Sequence, residues 1–282
     1  MRRWTVANKR KSGSSGWIPA VVLLAAIVAA GGYMVWRATR PGEAAKPAVA
    51  SAPAAAASAA QPAQAVVQHP IAQAAAPARA SSAPLPALND SDASVGSSLL
   101  SMGGNELKGL LLPRHIVDHI VATVDALPRL ELGSTAILPV RTPRGAFMAS
   151  STQGLLTADP RNAARYAPYM AVVRRVDSSV LVAWYVHSYP LFQQAYRELG
   201  YPKGYFNDRL IAAIDDMLAA PAPAQAPALQ LVNGRYTYAD PALESLSVGQ
   251  KLMLRLGPAN EAELKAKLRV IRNLLTARPP SH

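Results

Sequence analysis

The chain has no cysteine. That excludes a disulfide framework, thiol chemistry and lipid attachment at an N-terminal cysteine, and it is compatible with an oxidising compartment. Also missing are a Gly-x-Ser-x-Gly elbow, a phosphate-binding loop and a dinucleotide fingerprint. Acidic residues almost vanish before Asn89, where Glu43 alone faces nine Lys and Arg; residues 89–282 hold 20 basic against 16 acidic side chains. The formal charge of +12 is therefore mostly a property of the N-terminal segment. The remainder is an ordinary surface with a mild basic lean, and nucleic acid is not an expected partner.

What the N-terminal segment does have is one apolar run, Ile18 to Trp36, nineteen residues without a charge. As a helix it reaches about 28 Å, against a bilayer core of roughly 30 Å. Arg2, Arg3, Lys9, Arg10 and Lys11 precede it, which predicts a cytoplasmic N-terminus and a translocated remainder. Trp17 and Trp36 bracket it at the expected headgroup levels. A cleaved signal peptide ending at Val28-Ala29-Ala30 competes with this reading. The apolar run continues through Tyr33-Met34-Val35-Trp36, which a peptidase substrate does not need, so an uncleaved anchor is the expectation.

From Pro41 to Leu88 the chain is mostly Ala, Pro, Ser and Gln, with Pro at 41, 47, 53, 62, 70, 77, 84 and 86. Each Pro removes an N–H donor and restricts its predecessor, and large apolar residues are nearly absent, so ordering the backbone gains little. The expectation is a disordered linker over 37–88 that gives the folded part reach; fully extended, 48 residues span about 150 Å.

After Asn89 helix signals dominate. Ile116, Val117, Ile120, Val121 and Val124 recur at helical spacing. Asp159-Pro160 and Asp240-Pro241 pair an N-cap with Pro at the first helical position. Asp177 caps a helix from Val180 to about Leu199, with Pro190 as an expected kink. Leu210, Ile211, Ile214 and Leu218 mark another helix, Ser247 to Lys251 looks like a helix entry, and a last helix starts at Pro258, its Lys265, Lys267, Arg269 and Arg272 suiting the C-terminal end of the macrodipole. Residues 146–149 and 155–157 are read as a hairpin, and Asn233-Gly234 supplies the positive φ of a second. The fold class is mainly α with small β hairpins: a basic tail 1–17, a transmembrane helix 18–36, the linker 37–88 and one globular helical domain 89–282.

Tyr185 to Phe206 holds seven of the thirteen Phe and Tyr residues, four of them on one helix face. Such a stripe reads first as the buried face of a central helix. Tyr rings beside charged groups also suit stacking on sugars or gripping a peptide. The candidate interaction surface is Tyr189, Tyr196, Tyr201, Lys203, Tyr205, Asn207 and Arg209, with Lys203 and Arg209 expected to be exposed. His115-Ile-Val-Asp118-His119 places two imidazoles one turn apart, a weak echo of an inverted zinc-protease spacing with Asp for Glu, and a third ligand would have to be His187, the only other His inside the expected domain core. Asp215 and Asp216 are adjacent and point to different sides of a helix. No catalytic, cofactor or metal residue is assigned, and an enzyme is the minority reading.

The string Tyr189-Pro-Leu-Phe-Gln-Gln-Ala-Tyr-Arg-Glu-Leu-Gly-Tyr-Pro-Lys-Gly-Tyr-Phe-Asn-Asp-Arg-Leu210 resembles an uncharacterised proteobacterial family, domain of unknown function 3014. The likeness includes Val121-Ala-Thr-Val-Asp-Ala-Leu-Pro-Arg129, Tyr166-Ala-Pro-Tyr169, Tyr236-Thr-Tyr-Ala-Asp-Pro-Ala-Leu-Glu244 and Gly249-Gln-Lys-Leu-Met-Leu-Arg-Leu-Gly-Pro258, and covers nearly all of 89–282. It implies a membrane-anchored envelope protein with an Ala/Pro spacer and no assigned activity. The expectation is a single-pass inner-membrane protein whose periplasmic domain is a protein-interaction module of a cell-envelope complex. Its partners are then the bilayer, through 18–36, and an envelope protein. A peptidoglycan- or glycan-binding module is the alternative, and an envelope hydrolase comes third.

Overall fold

The computed structural model of the chain describes residues 67–74 and 83–277. The basic tail, the apolar span 18–36 and most of the expected linker lie outside the described residues. Among the described residues no helix is long and apolar enough to cross a membrane.

The domain is helical, built as α1 (Asp92–Lys108), α2 (Ile116–Ala126), α3 (Ala167–Arg175), α4 (Ser178–Glu198), α5 (Phe206–Leu218), α6 (Pro241–Glu244), α7 (Val248–Leu256) and α8 (Pro258–Thr276). Two antiparallel hairpins complete it, β1 (Ala149–Thr152) with β2 (Leu155–Ala158) and β3 (Leu229–Val232) with β4 (Arg235–Tyr238). The first hairpin turns at Gln153-Gly154, both at positive φ, so its strands lie closer to the turn than the sequence suggests. The second turns at Asn233-Gly234 (φ 51° and 74°), as expected. A single bridge, Thr157 to Ala228, links them. Neither hairpin buries a full face: Leu155, Leu231 and Val232 stay exposed.

The core lies between α2, α4, α5, α7 and α8. The apolar stripe of α2 is fully used, since Ile116, Val117, Ile120, Val121 and Val124 are each at most 1% exposed; burying a side chain of this kind stabilises by roughly 1.5–3 kcal/mol. The N-terminus of α2 is capped from a distance. The Asp92 carboxylate accepts the N–H groups of His115 and Ile116, both at 2.8 Å, while His115 takes a left-handed φ of 52°. Asp177 accepts from Ser179 and Val180 to start α4, and the helix runs on through Pro190, which is flanked by the buried Tyr189 and Leu191. Ser247 and Gln250 form a capping box on α7.

Two departures follow from tertiary contacts. Helix α1 is interrupted at Gly104 (φ 63°), where a Cβ would come within 2.6 Å of Arg175 Nε. And the lysines of α8 act on other helices. Lys265 donates to Ala220 O (2.6 Å), just past α5, and Lys267 to Val176 O, just past α3. Both cations meet the negative ends of neighbouring dipoles, not the end of their own.

Part of the expected linker is structured. Within 67–74, Ile71–Gln73 form a short 3₁₀ turn against α4 and α8, and 83–90 lead into α1 with Leu88 buried. Of the large apolar residues described in that low-complexity stretch, Ile71, Leu85 and Leu88 pack against the core, while Val67 stays exposed.

Candidate functional site

The corner between α4 and α5 is set by one amide. Gln193, buried on α4, donates to Gly204 O (2.8 Å) and accepts from Tyr189 Oη (2.7 Å) and Phe206 N (2.9 Å). These bonds pin the 199–206 turn onto α4 and start α5 at a fixed place, so Tyr205, Asn207 and Asp208 share one edge. Asn207 and Asp208 lie in the first turn of α5, where the carboxylate complements the helix dipole.

That edge holds residues 68–71 by their main chain. Asp208 accepts Gln68 N–H on Oδ2 (3.0 Å) and His69 N–H on Oδ1 (2.7 Å). Tyr205 Oη accepts Ile71 N–H (2.7 Å), and Asn207 Nδ2 donates to His69 O (2.8 Å). Pro70, which has no N–H, falls between the two acceptors. Ile71 packs against the core and Ala74 is buried.

Of the candidate surface residues, Tyr205 and Asn207 meet this segment. Tyr189 (7% exposed) and Tyr196 (6%) are core, together with Tyr185, Phe192 and Phe206, whose rings pack at centroid distances of 5.5–6.4 Å. Burial pushes the Tyr189 hydroxyl well above the usual phenol range, and its contact with Tyr205 adds to this. Lys203 is exposed as expected. Arg209 is not: its side chain is 25% exposed and its Nε donates to Asp125 Oδ1 (2.9 Å), with a second bond to Asp125 O. Arg129 meets the same carboxylate and donates to Tyr201 Oη (2.7 Å), and Tyr201 stacks on Tyr196 at 4.6 Å. Asp125 is 5% exposed at the centre of this cluster. Arg209 and Tyr201 therefore lock the α4–α5 turn to α2, because a buried carboxylate needs cationic partners.

Asp208 and Gln193, decisive here, are not among the sequence candidates. Asp208 sits in the Asn207-Asp208-Arg209 string, but its partners lie about 140 residues away, beyond any spacing rule.

The other constellations are accounted for in place. The rings of His115 and His119 are 6.1 Å apart, with Asp118 3.7 Å from His115. His187 lies on α4 beside a separate cavity lined by Trp184 and Ser94. Among the described residues no group of three or more His, Cys, Asp or Glu could hold a metal ion. Burial, then the His115 charge, pulls the His119 pKa below its ordinary value. Asp215 pairs with Arg272, whereas Asp216 accepts from Ser247 Oγ (2.5 Å) with its pKa raised by burial, so the neighbours diverge as read.

A family model described as protein of unknown function, DUF3014, matches residues 116–272, more than half of the chain. The chain belongs to the DUF3014 family. The DUF3014 match runs from the first residue of α2 into the last turns of α8, a narrower span than the strings above. It contains both the Asp125 cluster and the edge made by Tyr205, Asn207 and Asp208, while residues 67–74 precede it. No curated protein and no solved structure matches the chain.

Proposed function

We propose that this protein is a membrane-tethered periplasmic protein-interaction module of a cell-envelope complex, and that its working edge is the α4–α5 corner. One observation carries the reading: the corner grips a short bent segment through main-chain N–H and C=O groups, using Asp208, Tyr205 and Asn207. Main-chain recognition is one established mode of peptide docking, with side-chain seats adding selectivity. The apolar span and its basic flank supply the anchor, with the N-terminus in the cytoplasm. A photo-cross-linking residue at exposed Lys203, in full-length protein in intact cells, should yield a discrete protein adduct that Asp208→Ala abolishes. Absence of any adduct at Lys203 and at neighbouring exposed Pro202 would overturn the reading.

Glycan binding is the second reading, favoured by a cavity of about 500 Å³ between the hairpins and the α7–α8 junction. Phe147 and Tyr236 line it with ring centroids 5.4 Å apart, and Asn260 and Thr237 add polar groups. Aromatic faces beside amides and hydroxyls suit a sugar ring. Co-sedimentation with protein-free cell-wall sacculi, lost in Tyr236→Ala, would replace the first reading by this one.

A further inference from the structure

We infer that the α4–α5 corner is a competitive peptide site: residues 68–71 fill it in cis, and a similarly bent X-Pro-apolar segment of a partner protein takes their place. The inference rests on the reading of the corner as a docking edge and adds what docks and what docking changes.

The partner chemistry is written in the cis complex. Asp208 takes two successive N–H groups, Asn207 takes the carbonyl between them and the proline, and Tyr205 takes the N–H after the proline. Only two side-chain demands remain: a residue without a donor at the Pro70 position and an apolar side chain at Ile71, which packs against the core. Any segment with that pattern that can take the same bend presents the same groups. A proline at the centre also reduces the entropy that docking removes.

The cis segment is joined to the domain by the short stretch 75–82, which gives it an effective concentration in the millimolar range. A free peptide therefore competes poorly, and a partner needs contacts beyond the corner to displace it. Displacement lengthens the arm. Undocking adds residues 67–82 to the tether, roughly 50 Å when fully extended. Partner capture and reach from the membrane are then one event.

The test uses full-length protein in lipid nanodiscs and a fluorescein-labelled peptide of sequence Val67–Ala74. Wild type should bind it weakly. His69→Pro in the chain removes a main-chain donor and Ile71→Asp removes the apolar seat; either should tighten peptide binding about tenfold or more, because the competent state becomes fully populated. Adding Asp208→Ala to either should abolish binding. Unchanged affinity in both cis variants, or binding that survives Asp208→Ala, overturns the inference. A Lys203 adduct in cells that His69→Pro fails to strengthen also ends it, while leaving the interaction reading intact.

Discussion

Two carboxylates on neighbouring elements, Asp125 and Asp208, serve opposite purposes. Asp125 is 5% exposed and is surrounded by the guanidinium groups of Arg129 and Arg209 and the Tyr201 hydroxyl. Its partners are side chains of the same domain, and they knit α2 to the α4–α5 turn. Asp208 is only half-buried, one residue before Arg209, and its partners are the N–H groups of Gln68 and His69. Any chain bent in the same way can offer such groups. The difference shows where structure ends and recognition begins: a carboxylate matched by specific buried cations is fixed in place, and one matched by replaceable main-chain donors is open to exchange.

The sharpest way to break this comparison is Asp125→Ala, which leaves two arginines without their buried acceptor. A loss of about 3–5 kcal/mol is expected, measured by urea unfolding of the full-length protein in detergent; a loss below 1 kcal/mol would show that Asp125 is as dispensable as a surface acid. Asp208→Ala should cost the fold much less, about 1 kcal/mol. Amide exchange should separate the two, with Gln68 and His69 losing protection in Asp208→Ala while α4 keeps its own. The smallest effect comes from a group that touches neither carboxylate. His119, whose pKa is lowered by burial and by His115, is neutral in the fold and takes its proton more readily when unfolded. Stability from this group is present above pH 6.5 and falls as pH drops below it. A decline in melting temperature of about 2 °C or less is expected between pH 7 and 5, flattened in His119→Gln.

Local signals carried far here. The caps at Asp159, Asp177, Asp240 and Ser247 and the turn at Asn233-Gly234 stand where short-range chemistry puts them. The buried reading of the Tyr185–Phe206 stripe was legible too, because i, i+4, i+7 spacing defines one face. What escaped was every contact between distant residues. Asp92 caps a helix 24 residues on, and Lys265 and Lys267 close helices other than their own. Arg209 turns inward to an acid 84 residues away. The contacts of 67–74, inside the stretch read as linker, escaped for the same reason: composition counts apolar residues but does not reveal a prepared seat for one of them.

The lysines of α8 bear on the order in which the fold completes. Ribosomes deliver α3 and α5 well before α8, so the carbonyls of Val176 and Ala220 wait for Lys267 and Lys265 to emerge. The apolar face that meets Leu264, Leu268, Ile271 and Leu275 waits with them. A nascent chain stalled before Pro258 would therefore present a sticky, half-closed bundle, the kind of species that chaperones retain. Burial of the core therefore waits on a single helix, which makes the emergence of α8 the step that separates an open bundle from a closed one.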